Sequence, residues 1–219
     1  MAKSYRWYFQ EDDLQARKFA ARFGIPSEKQ RLETFAFLAP KYDATIGMYE
    51  KSSADLYRNE LMVQASGEVL EVAIGTGQCF EALTTGGQVT RFVGIDALDI
   101  MLDLARQKIK ALTFPVELKK ADAHSLPFPD SSFDTVIGSL CLCSMERPNV
   151  VLDEMARVCR PGGKVLLVEP GLARRWPVRV CQQYLGLVPI PKHAWEFGWF
   201  DDLDPVALVN ASALSIDSF

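Results

Sequence analysis

Histidine is scarce in this chain, and neither a long apolar run nor an excess of basic charge occurs. The two histidines, His124 and His193, leave little material for a histidine-based metal site. No uncharged apolar run reaches about 18 residues, so a transmembrane helix is not expected. Lysine and arginine number 24 against 28 aspartates and glutamates, a net charge of -4. A duplex DNA-binding protein usually has a basic balance, so nucleic acid is not the expected partner.

Cysteine is also sparse, and its pattern indicates a reducing compartment. The five cysteines are an odd number and are spread through apolar segments, which favours free thiols over a disulfide framework. The first ten residues lack the apolar core of a signal peptide. We therefore expect an intracellular protein, in the cytoplasm or the mitochondrion.

The composition that is present is typical of one globular domain. Hydrophobic residues make up 48% and charged residues 24% of the 219 positions, and a chain of this size can bury a core without a metal or a disulfide. Residues 1–66 carry charged, helical patterns, which predict a helical lid segment. Its helices are expected over about 11–23, about 28–38 and up to Ala65, where Ser66-Gly67 is typical of a helix end.

From residue 67 to residue 219, short apolar runs alternate with helical patterns. The apolar runs cover residues 69–74, 91–95, 116–118, 135–139 and 164–168. This alternation predicts βαβ units and an α/β fold with a Rossmann-like, doubly wound, mostly parallel sheet. Because the runs lack polar alternation, both faces of the sheet should be covered.

A glycine loop, Gly75-Thr76-Gly77, directly follows the first predicted strand and precedes a helical pattern. Ligands of doubly wound sheets bind outside the carboxyl ends of the strands, and glycine lets a ligand approach the backbone closely. The alternative is an ordinary tight turn, which contains such glycine pairs by chance.

Acidic residues follow the next strands. Asp96 ends the second strand, about 20 residues beyond the loop, where an acid can accept from two ribose hydroxyls. The alternative role of Asp96 is a cap for the helix that follows. Asp122 follows the third strand and could accept a hydrogen bond from the amine of an adenine. Asp134 begins the fourth strand, where a structural role is as well supported as a functional one.

In this order, the motifs resemble those of the class I S-adenosylmethionine-dependent methyltransferases, and especially the ubiquinone/menaquinone C-methyltransferase type. The resembling segments are 37–43, 70–77, 94–97 with 101–102, 121–128, 133–134 and 160–163. The resemblance implies a Rossmann-like fold and S-adenosyl-L-methionine as the cofactor.

The resemblance also implies a role for each matching residue. Glu71 would position the methionine amino group, and Gly75 and Gly77 would cradle the methionine part. Asp96 would hold the ribose, and Ser139 would approach the sulfonium. The remaining residues of the implied cofactor site are Ala73 and Thr76 in the loop and Ala97, Met101, Asp122 and Ala123 around the adenine. Ala73 stands where many members of the family have a glycine.

The segment Leu140–Ser144 contains two cysteines, Cys141 and Cys143, where an acceptor would lie. It resembles the matching stretch of the methyltransferase-like seven group, whose members are linked to thiol methylation at membranes. The alternative is that both are small buried residues at a strand-to-helix crossing. A metal site is not expected, because no second pair of ligands accompanies them. No catalytic base is assigned; His193 is a candidate only because it lies in the region that shapes the acceptor pocket.

The last third of the chain carries two further patterns. Residues 174–192 combine basic and apolar positions without an acid, which predicts a basic amphipathic helix. That helix would contact anionic lipid, a phosphate-bearing substrate or RNA, or would only pack on the sheet. Asp204-Pro205 predicts a helix start, and the alternation over 214–219 predicts a sixth strand. The family's seventh, antiparallel strand would then be missing, and a partner protein, a second copy or residues outside this chain would cover that edge.

The expected function is methyl transfer from S-adenosylmethionine to a small, apolar or lipid-like acceptor, with peripheral membrane contact allowed by the basic segment. An alternative is a methyltransferase-like subunit or assembly factor of a larger complex, including a mitochondrial one, with little or no catalysis. A second alternative, an RNA methyltransferase, rests on the basic segment alone.

Overall fold

The computed structural model describes residues 26–47, 54–86, 88–171 and 203–218. In these residues, five strands form one sheet in the order β3-β2-β1-β4-β5, and every neighbouring pair is parallel. The strands are β1 Ser66–Val72, β2 Gln88–Asp96, β3 Val116–Lys120, β4 Phe133–Ser139 and β5 Cys159–Val168. This architecture confirms the predicted α/β, Rossmann-like sheet.

Helices precede, connect and follow the strands. They are α1 Glu28–Leu38, α2 Asp55–Met62, α3 Phe80–Gly86, α4 Asp99–Lys108, α5 Pro148–Val158 and α6 Pro205–Asn210. Short 3-10 turns cover Ala39–Lys41, Ile109–Ala111 and Leu142–Ser144. Helix α1 begins after Ser27, whose hydroxyl accepts from the backbone N–H of Gln30 while the Gln30 side chain accepts from the N–H of Ser27. This capping box fixes the predicted start of the helix.

The inner strands β1 and β4 are buried on both faces, as their apolar runs predict, whereas the edge strand β3 has no fully buried residue. Successive residues of β1 enter different cores: Leu70 and Val72 lie in one buried cluster, and Val69 lies in the other. Helix α5 supplies Leu152 and Met155 to the first cluster, while α3 and α4 pack in the second. Strands covered in this way carry mainly apolar side chains.

Two local predictions are wrong. Ser66-Gly67 does not end a helix; it opens β1, with Gly67 at φ 71° and the N–H of Ser66 bonded to Thr135 Oγ1. Residues 214–218 form no strand, although their alternation predicted one. Only Leu214 among them packs against the core, while Ile216 is 41% exposed. The alternating apolar residues therefore do not share one buried face, as a strand of the sheet would require.

Residues 160–163, the last of the resembling segments, lie inside β5. Cys159 pairs opposite Phe133, but Lys164 already pairs opposite Thr135, so the residues between them loop out as a bulge around Gly162 at φ 78°. The predicted helix over 11–23 and the basic segment 174–192 lie outside the described residues.

Candidate functional site

A cleft of about 960 Å³, including open solvent, lies at the carboxyl ends of β1, β2 and β4, beneath α1 and α2. Clefts of this kind at the carboxyl ends of parallel strands are where doubly wound sheets bind their ligands. All but one of the predicted cofactor residues line it, namely Glu71, Ala73, Gly75, Thr76, Asp96, Ala97, Met101, Asp122, Ala123 and Ser139. The exception is Gly77.

The two glycines of the loop have different surroundings. Both have a positive φ, 56° at Gly75 and 78° at Gly77. A β-carbon added at Gly75 would meet no atom within 4 Å, whereas one at Gly77 would lie 2.6 Å from the Phe80 ring. A side chain at Gly75 would therefore enter the cleft, whereas one at Gly77 would meet α3; the role of Gly77 toward the methionine part stays a prediction.

Asp96 connects the glycine loop to the start of α4. Its side chain accepts from the N–H of Gly75 at 2.9 Å and from the N–H of Leu98 at 2.9 Å. Burial raises the pKa of Asp96, and these backbone hydrogen bonds oppose the rise. Asp96 therefore holds Leu98, the residue before α4, but no side chain caps the helix, so the predicted cap is not formed. The carboxylate also lines the cleft where the ribose was predicted.

Glu71 places a buried carboxylate at the end of β1. The residue is 2% exposed, and burial raises its pKa to about 7, against the opposing effects of a Cys79 hydrogen bond and the Arg58 charge. Its Oε2 atom finds no hydrogen-bond partner among the described residues. A buried acceptor that the fold leaves unsatisfied costs free energy, so it favours a ligand that donates to it.

Arg58 lies beside Glu71 and was missed by the sequence analysis. Its side chain is 2% exposed, pairs with Asp55, and donates from Nε to Ser139 Oγ at 3.1 Å. The signal in the sequence was an arginine within the short helix α2, which is indistinguishable from an exposed one without the fold. Arg58 fixes the rotamer of Ser139 and places a cation near the end of β1.

Asp43 ties the segment after α1 to the glycine loop. Its Oδ1 accepts from Thr76 Oγ1 at 2.6 Å and from Gln78 Nε2 at 2.7 Å, and its Oδ2 pairs with Lys108 Nζ at 2.7 Å. Partial burial would raise the pKa of Asp43, but the hydrogen bonds from Lys108 and Thr76 outweigh it and lower the pKa. Asp43, which ends the resembling segment 37–43, thus holds the glycine loop through Thr76 and Gln78.

Asp122 has a partner that the sequence did not reveal. It accepts from the N–H of His124 at 2.8 Å and lies 2.9 Å from His124 Nδ1, while Glu28 of α1 lies 3.5 Å from the same nitrogen. The three groups come within 4.8 Å of one another, a spacing that could hold a metal ion. Nδ1 hydrogen-bonds with Asp122 and links the β3 end to α1, while the buried Nε2 of His124 has no partner among the described residues.

Leu140–Met145, the segment after β4, forms the far side of the cleft and is called here the acceptor-side wall. Leu140, Cys141, Ser144 and Met145 line the cleft, facing Leu32, Phe35 and Tyr42 from α1 and the segment after it. Cys141 is 2% and Cys143 3% exposed, and burial raises the pKa of both thiols well above the ordinary value. These facts favour the interpretation that both cysteines are small buried residues rather than nucleophiles.

Comparisons with known proteins agree with this geometry. A methyltransferase-domain family profile matches residues 70–167. A phosphatidylethanolamine N-methyltransferase of Cereibacter sphaeroides is 35% identical over 164 residues, covering 74% of this chain and 76% of that protein. Demethylmenaquinone methyltransferases of Deinococcus radiodurans and Bacillus cereus are 35% and 34% identical. Their alignments cover 63% and 65% of this chain, and the chain spans only 58% and 63% of their lengths.

Solved structures share the fold. A methyltransferase-fold protein from Bacillus halodurans C-125 superposes with a TM-score of 0.58 at 24% identity, covering 73% of this chain and 68% of that one. An S-adenosylmethionine-dependent methyltransferase from Thermotoga maritima gives 0.51 at 19% identity, covering 78% and 77%. None of the helices in the described residues is long and apolar enough to span a bilayer. With the motifs, the sheet order and the relatives in agreement, the chain belongs to the class I S-adenosylmethionine-dependent methyltransferases.

Proposed function

We propose that this chain binds S-adenosylmethionine in the cleft and transfers its methyl group to a small, apolar or lipid-like acceptor. The observation that carries the proposal is the pair of buried carboxylates, Glu71 and Asp96, on either side of the glycine loop. Glu71 Oε2 lacks a partner among the described residues, and the space above Gly75 is open. An ammonium group and a ribose diol are donors that suit these two acids.

The order of the strands determines how the cofactor would lie across the sheet. Asp96 ends β2, Asp122 follows β3 and Glu71 lies near the end of β1. An adenosine held by the first two acids and an amino group held by the third would run across the sheet from β3 to β1. The methyl group would then face β4, where Ser139 and the acceptor-side wall lie.

The acceptor half of the cleft is largely apolar, which supports an apolar acceptor. The side chains of Leu32, Phe35, Leu140 and Met145 line it. The relatives' names, phosphatidylethanolamine N-methyltransferase and demethylmenaquinone methyltransferase, also refer to lipid-like acceptors. The cofactor would supply an electrophilic methyl carbon on its sulfonium, and the residues of the cleft would align the acceptor and exclude water.

Calorimetry with S-adenosylhomocysteine tests the cofactor site. Asp96→Ala removes charge-assisted hydrogen bonds to the ribose. The affinity of this variant for S-adenosylhomocysteine should therefore fall about 10- to 150-fold. Asp99→Ala is the matched control, because Asp99 is an exposed acid paired with Lys120 at the same end of β2. Equal affinities of Asp96→Ala and the parent chain would remove Asp96 from the site.

Methyl transfer is then measured with radiolabelled S-adenosylmethionine and three acceptors: phosphatidylethanolamine in mixed micelles, a demethylmenaquinone analogue, and total RNA. Labelling of one of the lipid-like acceptors supports the proposal, and labelling of RNA alone contradicts it. A chain that binds S-adenosylhomocysteine but labels none of the three would instead favour the non-catalytic subunit.

A further inference from the structure

One acidic residue near the cleft has no part in the proposed cofactor site. Glu169 follows β5 directly and is largely shielded from solvent. Its Oε1 accepts from the backbone N–H groups of Cys141 at 2.9 Å and Leu142 at 2.8 Å, and its Oε2 accepts from the N–H of Cys143 at 3.2 Å. Three consecutive backbone donors of the acceptor-side wall thus converge on one carboxylate.

These three hydrogen bonds satisfy backbone N–H groups of the acceptor-side wall. The 3-10 turn Leu142–Ser144 begins with N–H groups that have no partner within the turn. Leu140, two residues before it, has a φ of 54°, a strained conformation for a residue other than glycine. The two carboxyl oxygens of Glu169 supply the acceptors that these N–H groups lack within the turn.

The far end of the wall is held by a different residue. The carbonyl of Ser144 accepts from Arg31 Nε at 3.1 Å, and Arg31 also donates to the carbonyl of Pro26 at 2.7 Å. Arg31 belongs to α1, so this end of the wall depends on the helical segment over the cleft. Glu169 therefore holds the end of the wall that adjoins β4 and Ser139.

We infer that Glu169 is a positioning residue that holds the acceptor-side wall in the shape that receives the methyl acceptor. The inference rests on the proposed function for the role of the wall, and on the three hydrogen bonds for its shape. Glu169 does not line the cleft, so it acts through Cys141 and its neighbours rather than by touching the acceptor. Desolvation raises the pKa of Glu169 to about 7, as expected for a carboxyl group enclosed by the wall.

The cysteines of the chain report the shape of the wall without any acceptor. Maleimide labelling, followed peptide by peptide with mass spectrometry, measures how often each buried thiol is exposed. Cys141 and Cys143 lie in the wall, whereas Cys79 is fully buried near α3 and is the internal reference. In Glu169→Ala, the labelling of both wall thiols relative to Cys79 should be about tenfold faster or more, because three bonds to a carboxylate are lost.

Glu169→Gln should give a smaller acceleration than Glu169→Ala. Its single amide oxygen can still accept from Cys141 and Leu142, but its NH₂ group would face the donor of Cys143. Glu154→Ala is the matched control, since Glu154 also accepts a backbone N–H, that of Leu126 at 2.7 Å, but does not contact the wall. Glu154→Ala should leave unchanged the labelling rates of Cys141 and Cys143 relative to that of Cys79.

An unchanged ratio in Glu169→Ala, or an equal rise in Glu154→Ala, would overturn the inference, because the effect would then be absent or merely global. If Glu169→Ala does not fold, an unchanged ratio in Glu169→Gln decides the question in the same way.

The functional readout separates cofactor from acceptor. The affinity of Glu169→Gln for S-adenosylhomocysteine should stay within about twofold, while KM for whichever lipid-like acceptor the parent methylates should rise about fivefold or more. A parent chain that binds no S-adenosylhomocysteine would refute the proposed function, whereas the thiol ratios would still test the role of Glu169. A fall in cofactor affinity with an unchanged acceptor KM would contradict the inference itself.

Discussion

Gly75 and Gly77 are two residues apart and have the same backbone handedness, yet a side chain would meet different surroundings at each. Gly75→Ala places a methyl group in the open space of the cleft, where the cofactor is proposed to lie. We expect its affinity for S-adenosylhomocysteine to fall at least about tenfold, with a loss of unfolding free energy of about 1 kcal/mol from the positive φ.

Gly77→Ala should show the opposite balance. Its methyl group would overlap the Phe80 ring, so the free energy of unfolding should fall by about 2–4 kcal/mol. Cofactor affinity of the folded fraction should change little, because Gly77 does not line the cleft. Urea unfolding and calorimetry on the two variants compare them directly; a larger binding defect in Gly77→Ala would show that the loop moves toward Gly77 when ligand binds.

The backbone of Ala73 is strained, which the sequence alone did not reveal. Its φ is 54°, a left-handed conformation that glycine adopts without strain. Ala73→Gly should therefore raise the free energy of unfolding by about 0.5–1 kcal/mol. Ala207→Gly, at an exposed position of α6, should lower it by a similar amount of about 0.5–1 kcal/mol. Urea unfolding measures both, and a destabilised Ala73→Gly would contradict the backbone argument.

At the scale of elements, the sequence predicted those parts whose signals are local. Helix α1 follows from the capping box at Ser27, and α6 follows from Asp204, whose side chain accepts from the N–H of Ala207 at 3.0 Å. Ser66-Gly67 misled the prediction because its real partners, Asp134 and Thr135, lie on β4. The strand predicted at 214–219 failed because alternation alone does not supply a neighbouring strand to pair with.

In the candidate site as well, residues with a local signal in the sequence could be predicted and residues that act through distant contacts could not. The strand-end residues Glu71, Asp96 and Asp122 could be predicted, because the carboxyl ends of parallel strands meet at one edge. The groups that hold them could not: Arg58 reaches Ser139, and Glu169 reaches the wall, only after the chain has folded. Contacts between distant parts of the chain leave no periodic or spaced pattern to recognise.

The contact between Asp43 and the glycine loop yields a prediction at this scale. Asp43→Ala removes the acceptor of Thr76 and Gln78 and frees the loop from the segment after α1. Affinity for S-adenosylhomocysteine should fall about 5- to 20-fold, because the loop must then be ordered by the ligand. Calorimetry is the measurement, with Asp103→Ala as the control, an exposed acid paired with Arg106 on α4. Equal effects of the two variants would assign the loss to surface charge alone.

For the whole molecule, burial of Glu71 links stability to pH. Its pKa in the folded chain is about 7, above the ordinary value of 4.5. The stabilisation due to Glu71 is therefore fully present below 4.5 and is lost as the pH rises through 7. Relative to the parent, Glu71→Gln should gain up to about 3 kcal/mol of unfolding free energy between pH 4.5 and pH 8.

Urea unfolding of the parent and Glu71→Gln at several pH values measures this difference. The carboxylates with lowered pKa values, such as Asp134 and Glu154, destabilise both proteins equally at low pH and cancel. A constant difference across the range would show that Glu71 titrates with an ordinary pKa.

The order of strands in the sheet also constrains how the protein folds. The central strand β1 pairs on one side with β2, which follows it directly, and on the other with β4, where Val69 lies opposite Thr135. Parallel partners require crossovers, and the closure of long chain segments slows folding. We expect β1, β2 and β3 to assemble first and the β1–β4 pair to form last. On the ribosome, the strands that carry Glu71 and Asp96 emerge before the acceptor-side wall, so a nascent chain would expose its cofactor acids before its acceptor side.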